Sequence, residues 1–318
     1  MTAGNSSGER MGSGWAHGKA ILIGEHAVVY GQPAIALPLL SITVHVTIWP
    51  AGDEDALDCA YYRGPLRQAP SNLSGLRTLI EETRRALPPQ YRAMAVAIAT
   101  TIPPGYGLGS SAAVAVGVVR ALYDWHQCPL MEEQLLALVH VAESHAHGTP
   151  SGVDAWAASS DRPLWFIRGH QPEVIPLSRP LFLVVANSDS PGSTRDAVRQ
   201  VRESRDHVVR RLGPIERIGE LTQALKPALV SGDYDYVGVL LTEAHRQLAD
   251  LHITTAHVDS LVSAAIRSGA LGAKLTGGGA GGSIVALAAD RAQQLKLAEA
   301  LTHAGAPQVW TPVLGEGN

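Results

Sequence analysis

Several residue types that would place this chain in a specialised class are scarce. Cysteine occurs only twice in 318 residues, at Cys59 and Cys128. Two isolated cysteines form neither a disulfide framework nor a zinc motif, which favours a reducing, cytoplasmic setting. Basic residues are not in excess either, because the formal net charge is −4. This balance argues against nucleic acid as a partner.

Long apolar stretches are also missing. No run of the sequence is long enough to cross a membrane, and the first dozen residues lack the apolar core of a signal peptide. We interpret residues 1–13 as a flexible polar tail. The overall hydrophobic fraction is nevertheless 46%, which predicts a globular protein with a large core. A length of 318 residues suits two domains, and we place their boundary near Arg179-Pro180.

The most informative segment that is present runs from Pro103 to Ala113 and reads PPGYGLGSSAA. An apolar run typical of a buried strand precedes it, and an alanine-rich run typical of a core helix follows it. Glycines let the backbone approach a phosphate, and the free N–H groups of a first helical turn attract negative charge. We therefore predict a nucleotide-phosphate cradle, although a tight turn without a ligand is an alternative. The cradle residues are Pro104, Gly105, Gly107, Leu108, Gly109, Ser110, Ser111 and Ala112.

Better-known glycine motifs do not account for this segment. A Walker A loop ends in Gly-Lys-Ser/Thr, and no lysine follows these glycines. The dinucleotide-binding fingerprint requires a third glycine at the position of Ala112. The nucleotide site predicted here is therefore of another kind.

Three charged residues are candidates for chemistry on a bound phosphate. Phosphoryl transfer uses a cation near the transferred group, a metal ligand and a base, and Lys19, Glu143 and Asp154 are of suitable types. Lys19 lies on the first predicted strand, and Glu143 lies near the end of a predicted helix over 131–147. Asp154 follows Ser151 by three residues, which matches a helix capping box. Each residue also has a simpler explanation, namely a surface cation, a solvated helix residue and a helix cap.

Four segments together resemble the motifs of one superfamily. In chain order they are similar to the motifs of the GHMP kinases, and within that superfamily to those of the mevalonate kinase family. The segments are Gly18-Lys19 with Gly24–Gly31 (GEHAVVYG), Pro103–Ala113, His147–Asp154 (HGTPSGVD) and Lys274–Gly282 (KLTGGGAGG). Two positions depart from the usual pattern, Thr149 in the third segment and Ala280 in the fourth.

The resemblance implies a fold of the α+β class, the two-domain GHMP kinase fold. The N-terminal domain, over residues 14–179, would bind ATP and resemble the second domain of ribosomal protein S5, with a left-handed β-α-β unit around the cradle. The C-terminal domain, over residues 180–318, would be ferredoxin-like. A homodimer is compatible with this expectation.

The resemblance also implies an activity and its residues. The reaction would be the ATP- and Mg²⁺-dependent phosphorylation of the primary hydroxyl of mevalonate, a step of isoprenoid synthesis. Asp154 would be the catalytic base and Lys19 its partner, while Ser111 and Glu143 would hold the metal. The predicted substrate-binding residues are Lys19, Glu25, His26, Asp154 and Thr276.

The acceptor is the part of this expectation that stays open. Another small alcohol, such as a modified mevalonate or a sugar, is one alternative, and a regulator that binds ATP without turnover is another. The role of His26 is open as well. It either donates to a carboxylate of the acceptor or braces the turn that follows the first strand by bonding backbone carbonyls.

Overall fold

The computed structural model describes residues 10–89, 92–147, 152–192 and 212–315. The described chain divides into two compact units. The first contains residues 10–17, 42–101 and 111–147, and the second contains residues 18–41, 102–110, 152–192 and 212–315, with the undescribed 90–91 left out. The two longest strands contribute residues to both units.

Most of the pairings between the described strands are antiparallel. In chain order they are β1 (Gly12–Ile23), β2 (Ala34–Pro50), β3 (Ala56–Cys59), β4 (Tyr62–Pro65), β5 (Met94–Thr100), β6 (Leu164–Phe166), β7 (Glu173–Val174), β8 (Leu181–Asn187), β9 (Gly272–Thr276), β10 (Ser283–Ala288), β11 (Val309–Trp310) and β12 (Val313–Leu314).

Helices lie between these strands without strict alternation, which confirms the α+β class. The α-helices are α1 (Ser74–Arg85), α2 (Ser110–His126), α3 (Glu132–His147), α4 (Val153–Ser159), α5 (Leu212–Ser231), α6 (Tyr234–Asp250), α7 (Ala256–Arg267) and α8 (Arg291–His303). Short 3₁₀ helices occur at Ala27–Tyr30, Leu66–Gln68 and Ser71–Leu73. None of the helices in the described part of the chain is long and apolar enough to cross a membrane.

In the first unit, the second half of β2 pairs antiparallel with β5, and β5 pairs parallel with β3. The strands β3 and β4 form a hairpin. Polar and apolar residues alternate from Ser41 to Ile48, which predicts a half-exposed strand. The structure confirms it, because Ile42, Val44, Val46 and Ile48 are buried while the residues between them are partly exposed. Helix α2 is buried along most of its length, as its alanine-rich sequence predicts.

The first strand begins two residues inside the predicted tail. Its glycines explain this, because β1 lies directly against α2 in the first unit. A Cβ atom added to Gly14 would lie 2.1 Å from the carbonyl oxygen of Gly117, and one added to Gly12 would lie 2.5 Å from that of Ala121. The polar appearance of residues 12–14 therefore reflects close backbone packing.

The second unit contains a sheet in the order β11-β8-β10-β9, with β12 also paired to β8. All of these pairings are antiparallel. Apolar residues of α5, α6, α7 and α8 pack with β8, β9 and β10 in one buried core cluster. A smaller core cluster joins β1 and β2 to α4 and β6, with Ile21, Val153 and Phe166 among its members.

One predicted strand is wrong. The apolar run after Gly24-Glu25-His26 predicts a second short strand, but its residues form the 3₁₀ helix Ala27–Tyr30. His26 has φ 59° and Gly24 has φ 105°, so the backbone reverses at both positions. An apolar run of four residues fits a buried strand and a buried helical turn equally well, and the sequence does not separate them.

Candidate active site

The predicted cradle is a loop in which every second residue is a glycine with a left-handed backbone conformation. Gly105, Gly107 and Gly109 have φ values of 81°, 75° and 76°. Side chains with a Cβ rarely adopt this conformation, so the loop depends on glycine at these positions. Helix α2 begins at Ser110, directly after the last of them. The strand, glycine turn and helix order predicted from the sequence is confirmed.

Backbone contacts within the second unit hold this loop in place. The N–H of Gly192 donates to the carbonyl oxygen of Gly105 at 2.8 Å. The hydroxyl of Ser283, at the start of β10, donates to the carbonyl oxygen of Tyr106 at 2.8 Å. Gly107 touches the second glycine-rich loop, since an added Cβ would lie 3.1 Å from the Cα of Gly277. The cradle is therefore fixed against the loop between β9 and β10.

Lys19 lies beside the cradle and is buried. Only 3% of the residue is exposed, so the surface-cation explanation is wrong. Its backbone N–H donates to the carbonyl oxygen of Leu108 at 3.0 Å, and a Cβ on Gly109 would lie 2.7 Å from its Cγ. The absence of a side chain at Gly109 leaves room for the side chain of Lys19, which extends past the loop toward Asp154.

Lys19 and Asp154 form an ion pair. The Nζ atom lies 2.8 Å from Oδ1 of Asp154, and the lysine side chain is 4% exposed while that of the aspartate is 37% exposed. A buried ammonium therefore holds a carboxylate that is still open to a reactant. This is the arrangement that a base and its cationic partner require.

The local setting of Asp154 differs from the capping box expected from the sequence. Helix α4 has Gly152 as its N-cap, with φ 87° and no capping bond from a side chain. Asp154 lies in the first turn and its carboxylate contacts Lys19. Ser151, like Thr149 of the same motif, lies outside the described residues. The helix-cap explanation for Asp154 is therefore not supported.

Glu25 forms an ion pair with Lys274, a residue for which the sequence suggested no role. The ammonium of Lys274 donates to Oε1 of Glu25 and to the carbonyl oxygen of Leu275. Both side chains are almost completely buried, at 0% exposure for the lysine and 2% for the glutamate. Burial raises the pKa of Glu25 and lowers the pKa of Lys274, and the attraction between the two charges counteracts both shifts.

His26 contacts the other glycine-rich loop. Its Nε2 atom lies 2.8 Å from the carbonyl oxygen of Gly278, so Nε2 carries the proton and donates. Burial lowers the pKa of His26 to about 4, and the ring is neutral near pH 7. A neutral ring with its proton on Nε2 has only an acceptor left at Nδ1. This geometry favours the brace over donation to an acceptor carboxylate.

Thr276 joins β9 to β1. Its hydroxyl accepts a hydrogen bond from the N–H of Ile21 and donates to the carbonyl oxygen of the same residue, both at 2.9 Å. The side chain is fully buried. The sequence places Thr276 near the acceptor, and the structure shows that its hydroxyl links the two strands.

The two predicted metal ligands lie in the first unit. Glu143, on α3, is 3% exposed, so the solvated-residue explanation for it is wrong. Ser111 is exposed in the first turn of α2. Among the residues that the structure describes, no group of three histidine, cysteine, aspartate or glutamate side chains is arranged to hold a metal.

Two family models match the chain. The model of the GHMP kinases N terminal domain matches residues 75–161, and that of the GHMP kinases C terminal domain matches residues 225–307. A mevalonate kinase of Thermococcus gammatolerans is 32% identical over 324 aligned positions, which cover 94% of this chain and 95% of the relative. The chain belongs to the GHMP kinases, within the mevalonate kinase family.

Solved structures of this kinase family have the same fold. A mevalonate kinase of methicillin-resistant Staphylococcus aureus MRSA252 is 34% identical with a TM-score of 0.73, and the match covers 96% of this chain and 99% of that one. The mevalonate kinase of L. major, solved in complex with R-mevalonate, is 26% identical with a TM-score of 0.81 and 98% coverage of both chains.

The fourth kinase motif contains the functional candidate that sequence reasoning missed. Lys274 lies between Ala273 and Leu275 in a short apolar strand, where a charged residue needs a partner. Glu25 likewise follows the apolar end of β1. Two opposite charges in buried segments were the available signal, but nothing in the sequence pairs them across the chain.

Proposed function

We propose that this GHMP kinase transfers the γ-phosphate of ATP to the primary hydroxyl of mevalonate, which forms 5-phosphomevalonate. The observation that carries the proposal is the Lys19–Asp154 ion pair beside the glycine cradle. The names of the relatives supply the acceptor, since the relatives reported above are mevalonate kinases. A regulator that only binds ATP has no need for a base held by a buried lysine.

The chemistry follows from the positions of these groups in the second unit. The glycine loop admits the phosphates without steric conflict, and its backbone amides favour negative charge. The carboxylate of Asp154 accepts the proton of the primary hydroxyl as that oxygen attacks the γ-phosphorus, and the bond from the γ-phosphorus to the bridging oxygen breaks to release ADP. The ammonium of Lys19 stabilises the negative charge on the attacking oxygen and on the transferred phosphoryl group.

The magnesium ion belongs to the same proposal. Ser111 and Glu143 would hold it, because hydroxyl and carboxylate oxygens are ligands that Mg²⁺ prefers. Magnesium keeps several waters and uses one or two carboxylates together with substrate phosphates, so a cluster of three protein carboxylates is not needed. When bound, it would neutralise negative charge that develops on the phosphates.

We also place the enzyme in the cytoplasm. Cys59 and Cys128 are both free thiols in the structure, which is the state that a reducing compartment maintains. The location is testable by fractionation of the source cells with an antibody against the chain. Recovery from an oxidising compartment would contradict it.

A panel of alcohols in an ADP-release assay tests the acceptor. The purified full chain is incubated with ATP, Mg²⁺ and either mevalonate, phosphomevalonate, a modified mevalonate or a sugar. We expect the highest kcat/KM for mevalonate and a product with phosphate on the primary carbon, as seen by ³¹P and ¹H NMR. Preference for another alcohol would reject mevalonate and keep the kinase, whereas ATP binding without turnover of any acceptor would identify a regulator.

A further inference from the structure

Two positions on β9 and one in the loop after it contact the segment that carries the predicted acceptor residues. Lys274 contacts Glu25, and Thr276 bonds to Ile21. The carbonyl oxygen of Gly278 accepts from His26. Lys274 and Thr276 are two apart on β9 and point to the same face, which holds Glu25 and the end of β1. The backbone of the following loop holds His26. Lys274 is the charged member of this set.

The charge of Lys274 acts on both residues of the turn. It is the largest of the charges that lower the pKa of Glu25 against the effect of burial, and Lys19 adds a smaller contribution. The same positive charge lowers the pKa of His26, in addition to the larger effect of burial. A cation at this point therefore favours an anionic glutamate and a neutral histidine on the same turn.

Glu25 retains an unused hydrogen-bonding atom. Its Oε1 accepts from Lys274, but its Oε2 is buried and has no hydrogen-bond partner among the described residues. A buried carboxylate oxygen that lacks a partner carries a desolvation cost. An acceptor hydroxyl that donates to this atom would remove the cost, provided that the carboxyl group is ionised.

We propose that Lys274 is a positioning residue for the phosphoryl acceptor, which holds Oε1 of Glu25, leaves Oε2 for an acceptor hydroxyl and fixes the Gly24–His26 turn against β9. It acts through Glu25 and His26 and does not itself contact the reacting atoms. This inference rests on the proposed function, because the acceptor used to test it is mevalonate. Lys274 belongs to the second unit together with Lys19 and Asp154.

The test compares Lys274→Met with Lys226→Met, which removes a lysine whose ion pair with Glu173 is exposed. We expect Lys274→Met to raise the KM for mevalonate at least about tenfold, the scale of a lost hydrogen bond to a charged group, with the KM for ATP within about twofold of the parent value. Lys226→Met is expected to leave both constants unchanged. Equal changes in the two KM values, or none, would overturn the proposal.

The pH profile separates positioning from simple support of the fold. Without Lys274 the pKa of Glu25 rises further, so the carboxyl group of the variant keeps its proton to a higher pH than that of the parent. The kcat/KM of Lys274→Met for mevalonate should therefore increase as the pH is raised, over a range in which the parent profile is flat. A variant whose profile is parallel to that of the parent would contradict the proposed effect on charge.

If Lys274→Met does not fold, a variant that lacks both charges of the ion pair tests the proposal. Removing one member of a buried ion pair is strongly destabilising, whereas replacing both with neutral residues is often tolerated. We expect Lys274→Met/Glu25→Gln to unfold near the parent temperature and still show the raised KM for mevalonate. A parent-like KM in this folded variant would reject the inference. If the parent itself does not phosphorylate mevalonate, the proposed function has failed, and the comparison is made with the alcohol that it does use.

Discussion

Gly277 faces Gly107 so closely that a Cβ atom added to Gly277 would lie 2.8 Å from the Cα of Gly107 and 3.0 Å from its carbonyl oxygen. Both contacts are with backbone atoms, which cannot rotate away as the end of a side chain can. The two glycine-rich loops of the second unit are thus in direct backbone contact. The space for a phosphate therefore depends on residues from both loops.

The first prediction concerns this contact. Gly277→Ala should weaken ATP binding, because the cradle loop has to move away from the added methyl group. Overpacking of this kind costs about 1–3 kcal/mol of stability, in addition to the strain of alanine at φ 90°. Isothermal titration with ATP and denaturant unfolding measure the two effects.

Gly169→Ala is the matched control. Gly169 also has a left-handed backbone, with φ 82°, but nothing lies within 4 Å of the added Cβ. It should show only the conformational cost of roughly 1–2 kcal/mol and normal ATP binding. If Gly277→Ala binds ATP as tightly as this control, the loop contact does not shape the nucleotide site.

The second prediction concerns the base. Asp154→Asn should lower kcat by about 10²–10⁴-fold, the usual contribution of general-base catalysis, since an amide does not accept the hydroxyl proton. The Kd for ATP should stay near the parent value. Asp161→Asn makes the same change at an exposed aspartate paired with Arg162, and its turnover should match that of the parent. Turnover of Asp154→Asn within a few-fold of the parent would remove Asp154 from the mechanism.

The third prediction concerns the metal. Glu143→Gln should raise the Mg²⁺ concentration needed for half-maximal activity and lower the maximal rate, because a neutral amide is a weaker ligand for a hard cation. Glu133→Gln provides the comparison on the same helix, since Glu133 is exposed in the first turn of α3. Superimposable Mg²⁺ titrations for Glu143→Gln and the parent would show that Glu143 is not a ligand.

The fourth prediction is a pH dependence of stability that arises from His26. Its pKa is lowered to about 4 in the folded protein, from 6.5 in the unfolded chain. Between these two values the unfolded chain binds a proton that the folded protein does not. The contribution of His26 to stability is therefore fully present above pH 6.5 and is lost as the pH falls toward 4, by at most roughly 3–4 kcal/mol.

A comparison of variants separates the effect of His26 on the pH dependence of stability from the effect of the carboxylates. His26→Gln keeps a donor for the carbonyl oxygen of Gly278 but does not titrate, so its unfolding free energy should fall less between pH 6.5 and 4 than that of the parent. His170→Gln, at an exposed histidine, should retain the parent dependence. Parallel curves for His26→Gln and the parent would show that His26 is not the cause.

Local features of the site were predictable from the sequence. The cradle depends on glycines at 105, 107 and 109, which are neighbours in the chain, and their conformations follow from the steric freedom of glycine. The long strand β2 was predictable for a similar reason, because its alternating burial is present in the sequence itself. Neither prediction required knowledge of a distant residue.

Features that depend on distant partners were not predictable from local pattern. Lys19 and Asp154 are adjacent only in the folded chain, and the resemblance to known kinases was needed to connect them. Lys274 received no role, because its importance depends on Glu25, which lies 249 residues away. The apolar run Ala27–Tyr30 predicts a strand but forms a helical turn, since burial alone does not distinguish the two over so few residues.

The separation of Glu25 and Lys274 has a consequence for synthesis of the chain. At ~5–20 residues per second, the ribosome needs roughly 10–50 s to add the residues between them. During this interval the turn that carries Glu25 has emerged, while β9, which carries the partner Lys274, has not yet been synthesised. A nascent chain stalled before Lys274 therefore keeps Glu25 hydrated, and the acceptor side of the site is completed only when β9 has emerged.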